Sequence, residues 1–348
     1  MRLPANPRVA VVGATGVVGR VMLDLLEERA FPAAEVLAVA SARSAGRQVR
    51  FAGGHLTVQA IGEGIFDGVD LVLLDTPDDV ARTWGPVAEA AGAVVVDNSA
   101  AWRMDPDIPL VCPEVNAGVL ADSTRRIIAS PNCTTLGVVL PLGALHRRFG
   151  LEKVIVSSYQ SVSGAGLAGI EELREQVEKL AADPAALDAL ATGGEHLSEV
   201  LPPPTAFPTT VAFNVIPRAG SARDHGYTSE EAKLAHESRK ILGLPTLAVT
   251  ATCVRVPTIV GHGASVWVRL AAPVDAASAE ECLREAPGVE LADLPTPQLA
   301  AGKDPSYVGR IRPDLDDDHG LAFFCACDNL RKGAALNAVQ IAEVLLPH

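Results

Sequence analysis

Between Arg8 and Glu28 the chain reads RVAVVGATGVVGRVMLDLLEE, an apolar run, three glycines and then a helical repeat. Few folds accommodate that succession. RVAVV (8–12) has no polar residue after Arg8, as a strand buried on both faces requires. A glycine turn that hands such a strand to a helix starts a β-α-β unit, and these units build parallel sheets covered by helices. The turn Gly13-Ala14-Thr15-Gly16-Val17-Val18-Gly19 also has a chemical use. Glycine backbone approaches a pyrophosphate closely, and the helix start offers unpaired N–H groups with partial positive charge. Its G-x-x-G-x-x-G spacing is one residue longer than the basic dinucleotide fingerprint, and glycine turns also arise for steric reasons alone. Placement between a first strand and a first helix favours a cofactor.

The pattern continues through the first third. EVLAVA (35–40), DLVLLD (70–75) and AVVVD (93–97) read as strands, VVGRVMLDLLEERA (17–30) and Pro77 to Ala91 as helices, and IIASPNC (127–133) as a strand entering a turn before a helix to about Phe149. KVIVSSYQSV (153–162), TTVAFNVIP (209–217), LAVTATCVRV (247–256), ASVWVRL (264–270) and LAFFCAC (321–327) are longer β runs, several alternating apolar and polar residues as in an antiparallel or mixed sheet. Helical patterns cover Ala168–Ala182, Ser229–Leu242 and Gly333–His348, and the Ala/Pro/Gly-rich Ala181–Pro208 reads as a loop excursion. The expected architecture is α/β. Residues 1–132 with 330–348 form a Rossmann-type dinucleotide-binding domain, and residues 133–329 an α+β catalytic and dimerisation domain whose sheet faces a partner subunit.

Composition removes several function classes. The net charge of −13 disfavours nucleic acid and anionic membranes as partners, so an anionic small substrate needs a local cluster of Arg and Lys. Six cysteines show neither paired metal spacing nor the density of a secreted disulfide scaffold, which points to reduced thiols in a cytoplasm. No apolar run reaches the roughly 18 residues a membrane span needs.

The second strand tests the nucleotide. NAD enzymes usually place an acid at its C-terminal end to hold the ribose 2′-OH. Here that end reads Ala40-Ser41-Ala42-Arg43-Ser44, and Glu35 lies at the other end. Ser41, Arg43 and Ser44 suit the 2′-phosphate of NADP(H); the alternative is a solvated basic loop.

Cys133, in SPNCTT (130–135), falls where a strand meets a helix, and the helix dipole there favours a thiolate nucleophile. Cys112, Cys253, Cys282, Cys325 and Cys327 better fit inert packing. His262, in a Gly-flanked turn after CVRVP (253–257), is a candidate to exchange a proton with it, and Arg255 to hold a carboxylate bidentately; the alternative is a structural or solvated histidine, and spacing alone does not decide.

With these residues the chain resembles the aspartate-β-semialdehyde dehydrogenase family. The matching stretches are GATGVVG (13–19), DNSAAWRM (97–104), SPNCTT (130–135), SYQSVSGAG (158–166), FNVIP (213–217), YTSEEAK (227–233), CVRVPTIVGHG (253–263) and DNLRKGAALNAVQIAE (328–343), in order over nearly the whole chain. The resemblance implies a cytoplasmic NADP(H)-dependent enzyme that reversibly reduces L-aspartyl-4-phosphate to aspartate 4-semialdehyde and phosphate, in lysine, threonine, methionine and isoleucine biosynthesis. It implies Cys133 as acyl-thioester nucleophile, His262 as acid/base and Gln160 as the group orienting the substrate. Arg255 would hold the α-carboxylate, Glu230 the α-ammonium, and Arg103 with Lys233 the phosphate. Cofactor contacts would fall on Gly13, Thr15, Gly16, Val17, Val18, Arg43, Ser44, Ser163, Gly164 and Asn329, without a metal. The implied assembly is a homodimer, with a homotetramer as the alternative. The chain departs from the family's pattern at Ala100, Trp102 and Gly263, and at Asp75-Thr76-Pro77-Asp78-Asp79, where acids replace small residues beside the expected pyrophosphate. Two other readings are N-acetyl-γ-glutamyl-phosphate reductase, disfavoured by the Glu230/Lys233 helix, and a catalytically silent NADP-binding paralogue, disfavoured by the presence of both Cys133 and His262.

Overall fold

The computed structural model describes residues 1–192 and 200–347. In the first part the alternation of apolar runs and helical repeats gives β1 (Arg8–Val12), α1 (Val17–Glu28), β2 (Glu35–Ala40), β3 (Gln48–Phe51), β4 (Gly54–Thr57), β5 (Gln59–Ala60), β6 (Leu71–Leu74), α2 (Asp78–Ala90), β7 (Val94–Asp97), α3 (Pro113–Asn116), β8 (Ile127–Ala129) and α4 (Cys133–Phe149). Six of the strands form one parallel sheet in the order β5-β2-β1-β6-β7-β8. Its central strands are buried throughout, which is why they read as unbroken Val/Leu/Ala runs. β3 and β4 pair as a separate hairpin.

The second part contributes β9 (Leu151–Gln160), α5 (Gly166–Ala182), α6 (Pro184–Thr192), a helix over Ser229–Leu242, β10 (Ala248–Arg255), β11 (His262–Leu270), a helix over Ala276–Arg284, β12 (Val289–Leu291), β13 (Ser306–Pro313) and β14 (Gly320–Cys327). These strands form a mixed sheet in the order β10-β9-β11-β14-β13-β12. The pairs β10–β9 and β12–β13 are parallel, and the others antiparallel. One face packs on α4, while Ile155, Tyr159, Trp267 and Phe324 lie on the other, with Tyr159 and Phe324 stacked at 5.8 Å between ring centroids.

Four expectations need correction. TTVAFNVIP (209–217) is not a strand: Phe213 sits in the left-handed region at φ 53, which breaks a ladder, and only Ile216 pairs, with Arg255. The expected loop Ala181–Pro208 contains α6, with the Asp183 carboxylate accepting from the N–H groups of Ala185 and Ala186 ahead of Pro184 at the first helical position. The rest of that stretch includes 193–199, outside the described residues. His262 is the first residue of β11 and not part of the preceding turn. The expected terminal helix over 333–348 opens with a π-turn at Arg331–Ala335 and is α-helical over Leu336–Val344; His348 lies outside the described residues. Leu336, Val339 and Ile341 of this terminal helix pack among Val9, Val11, Leu71 and Val94 of the parallel sheet.

Candidate active site

The Cys133 turn is held from several sides. Asn132 caps α4: its Oδ1 accepts from the N–H groups of Thr134 (3.0 Å) and Thr135 (3.4 Å), which leaves Cys133 as the first helical residue. Asn132 Nδ2 donates to Glu230 (2.8 Å), and its backbone N–H to Glu237 (2.7 Å). Ser130 accepts from Arg103 Nε at its carbonyl (2.9 Å) and from Asn337 Nδ2 at its hydroxyl (3.0 Å). Gly333 of the π-turn lies so close that a Cβ there would stand 3.0 Å from the Cys133 Cβ. The site therefore joins the parallel sheet, the Ser229–Leu242 helix and the C-terminal segment.

The mixed sheet supplies the partners from neighbouring strand ends. Arg255 of β10 pairs with Gln160 of β9, and Gly263 of β11 with Tyr159. Register thus brings Gln160, Arg255 and His262 to one end of three adjacent strands. His262 Nε2 lies 3.3 Å from Cys133 Sγ. Gln160 Nε2 donates to Thr134 Oγ1 (2.8 Å), and Arg255 Nη1 to the Ser161 carbonyl (2.5 Å), with the Arg255 guanidinium 5.6 Å over the Phe207 ring. Lys233 donates to Glu230 at 2.8 Å, one helical turn along the same face. Cys133, Gln160, Arg255, Arg103, Glu230 and Lys233 all line one cavity of about 570 Å³.

The electrostatics differ from the dipole expectation. Burial, followed by the Glu230 carboxylate, pushes the Cys133 thiol above its ordinary value, while Arg103, Arg255 and Lys233 pull it back. Burial, followed by Arg255, pulls His262 down to about 3, so the ring is neutral. Burial raises Glu230, but Lys233 and Asn132 outweigh it and hold the carboxyl below its usual range. Desolvation pushes Cys112, Cys253 and Cys325 up to about 12, as inert packed thiols require.

The glycine turn is sterically constrained. Gly13 has φ +92, and a Cβ there would stand 2.1 Å from the Asp75 carbonyl oxygen; a Cβ on Gly19 would stand 2.2 Å from the Gly13 oxygen. Both positions therefore need glycine for the strand–helix junction to pack this closely. Gly16 is the N-cap and no side chain caps the helix, which leaves the N–H groups at Val17 and Val18 facing outward. Thr15 Oγ1 donates to Ser44 Oγ (3.4 Å), bringing Ser41, Arg43 and Ser44 beside the turn in a short 3-10 segment. The acids of 75–79 are partly accounted for: Asp78 accepts from the Ala100 N–H (2.9 Å), and burial pushes Asp75 up to about 6. Ser163, Gly164 and Asn329 lie on the His262 side, where a Cβ on Gly164 would stand 3.0 Å from Arg255 Nη1.

Asn132, Glu237 and Ser161 escaped the sequence reading. Asn132 carried a readable signal, an Asn at an N-cap before a helix. Glu237, 1% exposed and bridged to Arg103 at 3.2 Å, and Ser161, against His262, act through contacts more than 90 residues apart that no local pattern encodes.

Two family models match the chain: the semialdehyde dehydrogenase NAD-binding domain over residues 8–123 and the semialdehyde dehydrogenase dimerisation domain over residues 142–332. Aspartate-semialdehyde dehydrogenase of Streptomyces akiyoshiensis is 49% identical over 97% of this chain and 98% of its own. The Aquifex aeolicus enzyme of the same name is 42% identical with the same coverage. Among solved structures, Vibrio cholerae aspartate semialdehyde dehydrogenase II complexed with ASA superimposes with a TM-score of 0.91 at 41% identity, covering 98% of both chains. The Candida albicans enzyme with NADP does so with a TM-score of 0.70 at 25% identity and 98% coverage of both.

Proposed function

The chain belongs to the aspartate-semialdehyde dehydrogenase family, and from that membership we propose that it reduces L-aspartyl-4-phosphate to L-aspartate 4-semialdehyde with NADPH, releasing phosphate, in the biosynthesis of lysine, threonine, methionine and isoleucine. The observation that carries this reading is the 3.3 Å approach of His262 Nε2 to Cys133 Sγ, where Cys133 lines a cavity together with Arg103, Lys233, Glu230 and Arg255.

Arg255 binds the substrate α-carboxylate, because its guanidinium is spent on one backbone carbonyl and keeps further donors for a fork. Glu230 binds the α-ammonium. Those two contacts aim the 4-acyl carbon at Cys133. His262 Nε2 takes the thiol proton and becomes imidazolium as the sulfur forms a bond to that carbon; the C–O bond to phosphate breaks, and the departing dianion is stabilised by Lys233 and Arg103. Gln160, fixed by Thr134, orients the thioester carbonyl. The residues that would hold NADPH are Gly13, Thr15, Gly16, Val17, Val18, Ser41, Arg43, Ser44, Ser163, Gly164 and Asn329. When bound, the nicotinamide supplies the hydride that reduces the thioester. His262 then protonates the resulting oxyanion at Nε2 and, as the C–S bond breaks, takes the proton back to release the aldehyde.

Residues 1–132 with 330–348 form the cofactor part in this reading, and 133–329 the catalytic part. The Ile155, Tyr159, Trp267 and Phe324 face forms a homodimer interface, which sedimentation equilibrium checks.

The test is an absorbance assay at 340 nm with aspartate semialdehyde, phosphate and NADP or NAD in parallel. Phosphate-dependent reduction of NADP is expected, and Cys133→Ser should abolish it while NADP still binds. Turnover retained in that variant refutes the mechanism; preference for N-acetylglutamate semialdehyde refutes the substrate.

A further inference from the structure

A neutral imidazole exchanges a proton at Nε2 only if Nδ1 carries the other hydrogen: a ring that takes a proton at Nε2 must start as Nδ1–H and end as imidazolium. The surroundings of His262 Nδ1 bear directly on that requirement. The Ser161 backbone N–H, which can only donate, points at Nδ1 from 3.1 Å. That contact holds Nδ1 as an acceptor and leaves the hydrogen on Nε2, facing Cys133 Sγ. In this form the ring cannot take the thiol proton.

A second contact from the same residue offers the way out. Ser161 Oγ lies 3.0 Å from Nδ1 and 3.0 Å from Asn329 Oδ1. The Asn329 carboxamide is locked in orientation, since Oδ1 accepts from the Gly261 N–H (2.8 Å) and Nδ2 donates to Ser163 Oγ (2.9 Å). Ser161, Ser163, Asn329 and His262 are each no more than 3% exposed, so no bulk water competes for these bonds. The Ser161 hydroxyl, also 3.1 Å from Ser163 Oγ, can therefore face either Nδ1 or the Asn329–Ser163 side. With its hydrogen on Nδ1 it supports the resting tautomer; with its hydrogen on Asn329 Oδ1 it presents a lone pair to Nδ1–H.

We propose that Ser161 is a positioning residue that sets the tautomer of His262: its hydroxyl, backed by Asn329, accepts from Nδ1–H and so stabilises the tautomer whose bare Nε2 exchanges protons with Cys133. This rests on the Cys133–His262 reading given above. In that tautomer the thiol S–H bond breaks and its proton forms Nε2–H, while the other ring hydrogen stays bonded to Nδ1, directed at Ser161 Oγ, and the serine hydrogen stays bonded to Oγ, directed at Asn329 Oδ1. The charged groups that face the pair are Arg255 from β10, Glu230 and Lys233 from the Ser229–Leu242 helix, and Arg103. Ser161→Ala changes none of them.

Ser161→Ala removes the one side-chain acceptor for Nδ1–H among the described residues and keeps the backbone donor, so it biases the ring toward the inert tautomer. The expected kcat loss is about 10- to 100-fold, the worth of one hydrogen bond to a charged group, with KM within about twofold. Alkylation of Cys133 by iodoacetamide in the free protein should slow, and its pH profile should move to higher pH. Ser161→Thr, which keeps the hydroxyl, should restore both. A merely structural role would lower stability without moving the alkylation profile. A wild-type profile and kcat in Ser161→Ala, or a Ser161→Thr as impaired as Ser161→Ala, overturns the proposal. Nitrogen-15 spectra of histidine-labelled wild-type protein, assigned with His262→Gln, give a check that needs no serine variant: Nδ1 should be the unprotonated ring nitrogen in the free protein, and a protonated Nδ1 there refutes the proposal. Inactivity of Cys133→Ser beside an unaltered Ser161→Ala would leave the reaction standing and remove this inference alone.

Discussion

Lys332 is the most deeply buried cation in the described structure, and replacing it with methionine probes how the C-terminal segment supports the site. The side chain is 1% exposed and donates from one nitrogen to Glu114 Oε2 (2.7 Å), Asn337 Oδ1 (3.0 Å) and Gln340 Oε1 (2.8 Å). Glu114 is itself 11% exposed. Burial raises the Glu114 carboxyl, but the Lys332 charge and hydrogen bond outweigh it and hold the group below its usual range. Methionine fills the volume and leaves the carboxylate without a cation. Breaking a buried pair from one side costs about 3–5 kcal/mol, a large part of the roughly 5–15 kcal/mol that holds a typical fold together. With a urea slope of about 3 kcal/mol/M, the midpoint should fall by about 1 M or more.

The sign with pH separates this cause from lost packing. In the parent protein Glu114 titrates below its unfolded value, so its stabilisation is present above that value and is lost as pH falls through the lowered one. In Lys332→Met the buried carboxylate lacks its cation, and its value rises above the unfolded one. The penalty is then complete at pH 8 and shrinks as pH falls toward 5. Urea unfolding at pH 8 and pH 5, at one fixed protein concentration, reads this directly. The second variant, Lys332→Met with Glu114→Gln, should recover more than half of the loss at pH 8. A cost under about 1 kcal/mol, or a cost equal at both pH values and not relieved by Glu114→Gln, would show that the pair is not the electrostatic strut described here.

Two further outcomes are expected. Asp75, raised to about 6 by burial, contributes stability below its unfolded value that is lost as pH rises through 6, so Asp75→Asn should match the parent near pH 4 and exceed it by roughly 1–3 kcal/mol at pH 8; equal stability at both pH values would contradict the desolvation. Arg43, exposed beside the glycine turn, should lower the NADP-to-NAD ratio of kcat/KM by about 10- to 100-fold when changed to alanine, the range of one hydrogen bond to a charged group, and an unchanged ratio would remove it from the 2′-phosphate site.

Local rules made the parallel sheet legible. β1 and β2 match their apolar runs residue for residue, because a strand buried on both faces needs a continuous apolar segment and no other local signal. The glycine turn and the start of α4 at Cys133 were equally readable, since both follow from what a backbone can do at a strand–helix junction. The 209–217 run shows the limit. Its alternation is that of a strand, yet a single left-handed Phe213 takes it out of the sheet, and no residue type marks that turn. β13 was missed for the converse reason: Gly309, the positive φ of Arg310 and Pro313 interrupt a segment that still pairs with β14 across a register shift. Cys133, His262 and Arg255 were each legible singly. That Arg255 faces Gln160 and that Gly263 faces Tyr159 is a property of register, and register is fixed by the whole buried face of the sheet rather than by the residues that benefit from it.

The charges of the cavity are not equally available, and this sets a division of labour among Arg103, Lys233 and Arg255. Arg103 is paired with Glu237, and its guanidinium also donates to the carbonyls of Ser130 and Asn98, which leaves it rigid and with few free donors. Lys233 is paired with Glu230, whose second oxygen accepts from Asn132. Arg255 alone of the three has no carboxylate partner among the described residues, and burial lowers it from its ordinary value. A desolvated guanidinium without a counter-charge is costly, and an incoming carboxylate relieves that cost in a way it cannot at Arg103. In the proposed reaction, ground-state grip on the substrate therefore falls mainly on Arg255. Lys233 must share its ammonium between Glu230 and an oxygen of the leaving phosphate, a contact that strengthens as charge builds on that oxygen. Loss of Arg255 should thus raise KM most, and loss of Lys233 should lower kcat most, because only the second contact grows on the way to the transition state.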